Sequence, residues 1–120
     1  MPIKIVVAGC RNYENYTEAK LFLDACLAKV LENKKITFLS GGAKGADALG
    51  EKYATEKGCS IKKYPANWAK YGKGAGVIRN ETMAMECDLV ICFWDGKSRG
   101  TQSMINLAKK HGKTVKIKQI

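Results

Sequence analysis

The sequence predicts an α/β fold. In this three-layer sandwich a five-stranded, mainly parallel sheet carries helices on both faces. Three observations lead there. Short apolar, β-branched runs alternate with helix-period stretches in the order β-α-β-α-β-α-β-α-β. Strict alternation with right-handed crossovers builds a parallel sheet covered on both sides. Three of the strands end in polar or glycine-rich turns, where such sheets present their ligand loops. The 120 residues, 46% hydrophobic and 27% charged, suit one globular domain over residues 1–120.

The first strand is Ile3 to Ala8, a short β-branched run closed by Gly9. From Thr17 to Leu31, apolar residues at three- and four-residue steps (Leu21, Phe22, Ala25, Ala28, Leu31) mark one face of a helix. Asn15 or Thr17 is placed to cap it. A second strand, Ile36 to Leu39, runs into Ser40-Gly41-Gly42-Ala43-Lys44-Gly45-Ala46-Asp47. The helix from Ala46 to Lys57 stops at Gly58, a common C-terminal signal. Cys59 to Tyr64 is a more polar strand that belongs near an edge. Pro65 to Gly76 reads as irregular, with Trp68 and Tyr71 among glycines and lysines. A helix from Val77 to Glu86 follows, then the wholly apolar strand Leu89 to Phe93, which reads as central. After the turn Trp94 to Gly100 come a helix, Thr101 to His111, and a final strand, Thr114 to Ile120.

Charge and cysteine usage limit the function. Lys+Arg number 21 against 11 Asp+Glu, a net +10 that attracts anions such as nucleotides, nucleic acid or acidic membranes. No apolar run reaches the ~18–20 residues of a membrane span. Met1 to Ala8 lacks the order of a secretory signal. The five cysteines, Cys10, Cys26, Cys59, Cys87 and Cys92, are odd in number and have no C-x-x-C spacing. Free thiols in a reducing compartment fit better than a disulfide framework or zinc site. A cytoplasmic location is therefore expected, without a membrane partner. The lone His111 leaves little material for a His-based metal site or a Ser-His-Asp triad. No metal and no cofactor is expected.

The candidate chemistry lies in three loops: Gly9-Cys10-Arg11-Asn12, Ser40 to Asp47, and Asp95-Gly96-Lys97-Ser98-Arg99-Gly100-Thr101. Glycine allows close approach, and the helix N-termini that follow present unpaired N–H groups suited to phosphate. Neither the G-x-x-x-x-G-K-[ST] nor the G-x-G-x-x-G pattern is present.

These residues carry a resemblance. Val7-Ala8-Gly9-Cys10-Arg11, Ser40 to Asp47, Ala66-Asn67-Trp68, Tyr71-Gly72-Lys73, Gly76 to Asn80, Phe93 to Gly96 and Ser98 to Thr101 together resemble the small YspA-like branch of the SLOG superfamily. That superfamily also holds the LOG phosphoribohydrolases and DNA-processing protein A. The resemblance implies a Rossmann-like domain that binds nucleotides or nucleotide-derived ligands such as ADP-ribose, and that forms a homodimer or higher oligomer. It also implies the site. Gly41, Gly42, Gly45, Gly96, Gly100, Ser40, Ser98, Arg99 and Thr101 would hold phosphate, with Arg11 and Arg79 adding charge-assisted contacts. Gly9, Asp47, Asn80 and Asp95 complete the expected ligand-binding set. Arg79 and Asp95 are the catalytic candidates, should a reaction occur.

Comparison with LOG enzymes sharpens that last point. Their Met-x-x-Arg-Lys-x-x-Met helix resembles Val77 to Met83, with Arg79 at the arginine and Asn80 replacing lysine. Their P-G-G-x-G-T-x-x-E loop resembles Asp95 to Thr101, and its catalytic Glu falls at Met104. Methionine cannot ionise, so N-glycosidic hydrolysis of a nucleoside monophosphate is only an alternative reading. Single-stranded nucleic-acid binding is the other, resting on the +10 charge and the likeness to DNA-processing protein A. Several residues admit structural readings too. Asp47 serves a helix dipole or a ribose, Asp95 a turn or a ligand, Trp68 and Tyr71 a core edge or a base. Cys10 is either a small turn residue or a thiol with its pKa lowered beside Arg11. Met83, Met85 and Met104 are expected in the core.

Overall fold

In the computed structural model, which describes residues 2–33 and 35–120, the strands fall where apolar, β-branched runs predict them. They are β1 (Ile3–Gly9), β2 (Ile36–Ser40), β3 (Ser60–Lys63), β4 (Leu89–Trp94) and β5 (Thr114–Gln119). The helices are α1 (Tyr16–Leu27), α2 (Val30–Asn33), α3 (Ala46–Glu56), α4 (Trp68–Tyr71), α5 (Ala75–Glu86) and α6 (Arg99–Lys110). Asn15 caps α1, its side chain accepting from the Glu18 N–H.

The strand order is β3-β2-β1-β4-β5, and every pairing is parallel. The sheet expected as mainly parallel is wholly so. The more polar β3 is an edge strand, and β4 lies inside the sheet. Alternate strand residues serve opposite faces. Ile5, Val7, Phe38, Ile91 and Phe93 pack with Leu23 and Leu27 of α1 and Tyr53 of α3. Val6, Leu39, Val90 and Cys92 pack with Met83 of α5 and Met104 and Ile105 of α6. One helix pair therefore covers each face. No helix among the described residues is long and apolar enough to cross a membrane.

Two expectations change. The helix expected over Thr17 to Leu31 is broken, because α1 ends at Leu27 and a turn at Ala28–Lys29 precedes α2. Val30 and Leu31 pack on the same core as Leu27, so the three- and four-residue spacing persists across the break. Periodicity alone cannot register it. The stretch Pro65 to Gly76, expected as irregular, is mostly helical. Asn67 accepts from the Lys70 N–H and starts α4, a 3₁₀ turn spans Gly72–Gly74, and α5 begins at Ala75. The capped α4 itself holds no glycine, and the glycines fall in the 3₁₀ turn and the first turn of α5.

Candidate functional site

From β1 the chain winds outward through β2 and β3, then returns to β4 on the other side of β1. The β1–β4 boundary is thus the switch point, where loops leave the sheet in opposite directions and open a crevice. Gly9 is in register with Phe93, so the loops after β1 and β4 emerge side by side. A cleft of about 450 Å³ opens there. The β1 loop lines it with Gly9, Cys10, Arg11 and Asn12, and the β2–α3 segment adds Ala43 and Asp47. Helix α5 contributes Arg79, Asn80 and Met83, while Asp95, Ser98, Gly100, Thr101 and Met104 complete the wall.

The glycine-rich β2–α3 loop does not use its glycines as expected. A Cβ at Gly45 would fall on the carbonyl oxygens of Cys10 and Arg11. Its φ of +74° is also one that side chains disfavour. The neighbouring Ala46 N–H donates to the Cys10 carbonyl at 3.2 Å, binding the two loops together. A Cβ at Gly41 would lie 2.7 Å from Arg79 Nη1 and 3.0 Å from Asp47 Oδ2. These close approaches are to protein, not to open space.

Helix α6 presents a different N-terminus. The backbone N–H groups of Arg99, Gly100 and Thr101 find no acceptor among the described residues. The N-cap Ser98 makes no side-chain cap; its hydroxyl pairs instead with that of Thr101 at 3.2 Å. Ser98, Gly100 and Thr101 line the cleft, so the free donors of Gly100 and Thr101 and the positive end of the helix dipole stand at its wall. Asp95 shapes this turn, since its Oδ1 accepts from the N–H groups of Lys97 and Ser98, each at 2.8 Å. Those two bonds hold its carboxyl below the usual range.

Arg79 is half-buried and already employed. Its Nη1 donates to the Gly41 carbonyl at 2.7 Å and the Tyr64 carbonyl at 3.3 Å, and its Nε to Asn80 at 3.0 Å. It clamps the ends of β2 and β3 while forming part of the cleft wall. Burial pushes the Asp47 carboxyl up, against the Ala43 N–H bond and the charges of Arg79 and Arg11.

The sequence profile described as "YspA, cpYpsA-related SLOG family" matches residues 3–71. The "Gene 61 protein" of Mycobacterium phage D29 is 32% identical over 117 residues, covering 91% of this chain and 90% of the phage protein. This chain belongs to the YspA, cpYpsA-related SLOG family. Two solved structures share the fold of this SLOG-family chain. DNA processing protein A (DprA) from Streptococcus pneumoniae superposes with a TM-score of 0.74 at 22% identity, covering 98% of this chain and 50% of its own. DNA processing protein A from Helicobacter pylori, whose structure describes a single-stranded DNA binding mode, gives 0.65 at 24% identity, covering 97% of this chain. The chain thus spans 50% and 65% of these two proteins.

Within the SLOG-family chain the expected residues separate. Gly9, Arg11, Asp47, Arg79, Asn80, Asp95, Ser98, Gly100 and Thr101 meet at the cleft. Ser40, Gly41, Gly42, Gly45, Gly96 and Arg99 do not line it. The Ser40 hydroxyl donates to Glu51 at 2.6 Å and accepts from the Gly42 N–H, an internal brace. Arg99 is exposed. Asn12 and Ala43 were not singled out, although both lie within the quoted loops. Met83 and Met104 are core residues as expected, and they also line the cleft. The Cys10 thiol is buried and pushed up by that burial, with the Asp95 carboxylate adding to the rise. A thiol lowered by Arg11 is therefore not what the fold builds. Trp68 and Tyr71 are exposed rather than filling a core edge.

Proposed function

We propose that the switch-point cleft binds the phosphate-bearing part of a nucleotide-derived small molecule. The single observation that carries this reading is the N-terminus of α6, which lacks a side-chain cap and brings the N–H groups of Gly100 and Thr101, without acceptors among the described residues, to the cleft that Arg11 also lines. Backbone donors of fixed geometry and one flexible cation suit a phosphate group. The cleft volume lies within the range that holds small ligands. Family membership supports the same reading. Met104 occupies the cleft wall where resemblance to LOG enzymes expects a glutamate, so binding or sensing fits the residues better than N-glycoside hydrolysis.

A second reading has its own observation. Trp68 is 56% exposed and Tyr71 42%, beside Lys70 and Lys73 on the α4 shoulder. Exposed aromatics among cations are a stacking surface for single-stranded nucleic acid, and the Helicobacter DNA processing protein A neighbour is described as binding single-stranded DNA. A homo-oligomer belongs to either reading, since Val77, Ile78 and Met85 leave apolar surface exposed on α5. Five free thiols support a reducing, cytoplasmic setting.

Calorimetry with AMP, ADP, ADP-ribose and NAD, alongside an oligodeoxythymidine, separates the readings, and light scattering on the same samples reports assembly. Arg11→Ala should weaken a bound nucleotide about tenfold or more, the cost of one charge-assisted contact. Arg99→Ala should leave affinity within about twofold, since its side chain lies outside the cleft. Loss with Arg99→Ala but not Arg11→Ala, or binding of the oligonucleotide alone, would sink the small-molecule reading.

A further inference from the structure

Asp47 has one oxygen whose work is internal and one whose work is not. Oδ2 accepts a long bond, 3.3 Å, from the Ala43 N–H within its own loop. Oδ1 has no donor among the described residues, although the side chain is buried, with 8% exposure. No enclosed side-chain oxygen or nitrogen among the described residues lacks a partner. Oδ1 is therefore reached from outside, and the opening that Asp47 lines is the cleft. Arg11 and Arg79 share that cleft, yet neither forms an ion pair with Asp47 within 4.0 Å.

A carboxylate this buried is costly unless donors reach it. An anionic group alone would make matters worse, because phosphate brings negative charge and no donor. A ligand that fills the cleft and displaces the water reaching Oδ1 therefore has to bring hydroxyl or amine donors near its phosphate. A sugar phosphate does so within one small molecule, and a free ribose offers a vicinal pair of hydroxyls to one carboxylate. In a DNA strand the 2′ hydroxyl is absent and the internal 3′ oxygens are esterified.

We propose that Asp47 accepts hydrogen bonds from the sugar hydroxyls of the bound nucleotide, making the cleft selective for free ribonucleotides over deoxynucleotides and DNA. This rests on the phosphate reading above and names the substrate class of the same cleft. Oδ2 keeps its bond to Ala43, so the residue holds its loop and reads the sugar at once.

The test is calorimetry with the 5′-monophosphates of the four ribonucleosides and their 2′,3′-dideoxy counterparts. Removing the sugar hydroxyls should weaken binding about tenfold or more. In Asp47→Asn that ribose preference should collapse, whereas Arg11→Ala should weaken both series alike. Equal affinity of the two series for the unaltered protein overturns the inference and leaves the phosphate reading standing. A preference that follows the base instead of the sugar also overturns it. Absence of binding by every member overturns the phosphate reading itself. Circular dichroism checks that Asp47→Asn folds, and the comparison on the unaltered protein stands without the variant.

Discussion

Gly45→Ala probes how the cleft is built. Gly45 and Gly42 sit in one loop with nearly the same φ, +74° and +75°. A side chain at such a positive φ costs ~1–2 kcal/mol at Gly42 and at least as much at Gly45, whose ψ of −127° lies outside the left-handed helical region. At Gly42 a Cβ meets nothing within 4 Å, so that cost is the whole effect. At Gly45 a Cβ falls on the Cys10 and Arg11 carbonyls, both backbone atoms that cannot swing aside. Parting the two loops adds the penalty of overpacking, ~1–3 kcal/mol. It also strains the 3.2 Å bond from the Ala46 N–H to the Cys10 carbonyl. The expected loss is about 2–5 kcal/mol for Gly45→Ala and about 1–2 kcal/mol for Gly42→Ala. For a chain of this size those values lower Tm by roughly 15 °C and roughly 5 °C. Urea denaturation and a thermal scan measure both. If the two variants lose the same stability, or if Gly45→Ala stays within about 1 kcal/mol of the original, the loops do not pack as described.

Further outcomes follow from the titrating groups. Burial raises the Asp47 pKa in the folded chain, so between its unfolded and folded values only the folded state holds the proton. Stability conferred at low pH is therefore lost as pH rises through the folded value. Asp47→Asn should be more stable than the original at neutral pH, with the gap closing as pH falls toward ~4, and Tm against pH reads it; a gap that widens in acid would contradict the sign. Burial also raises every thiol, Cys92 to about 12. Iodoacetamide near neutral pH should modify the partly exposed Cys26 and Cys59 first, and the buried Cys10, Cys87 and Cys92 only on unfolding. Mass spectrometry of the native protein showing Cys10 modified early would refute its placement.

Much of the fold is legible because secondary structure follows local rules. The β-branched run Ile3 to Ala8 and the apolar Leu89 to Phe93 announce buried strands, and Gly58 announces a helix end at α3. The break after Leu27 is hidden, since Val30 and Leu31 keep the helical spacing while the chain turns back to reach β2. The helix α4 is hidden by its glycine neighbours, although Asn67 was there to cap it. Of the site, the loops that build the cleft were visible as three unusual strand ends, and Arg11, Asp47 and Thr101 could be read from them. The division of labour inside the loops could not. Arg79 and Arg99 look alike as flexible cations, yet one is clamped to the Gly41 and Tyr64 carbonyls and the other is exposed.

By itself the sequence determined the alternation of five strands with four main helical stretches along the chain, and the family. Those rest on apolar spacing, caps and motif order, all carried by neighbouring residues. Tertiary structure alone decided which glycine is needed by the chain and which lies open, and which N–H groups are left free. Each depends on which atoms from distant loops come within a few ångströms. Gly45 is indispensable because Cys10 and Arg11 arrive from β1, and Asp47 has a free oxygen because no second donor arrives among the described residues.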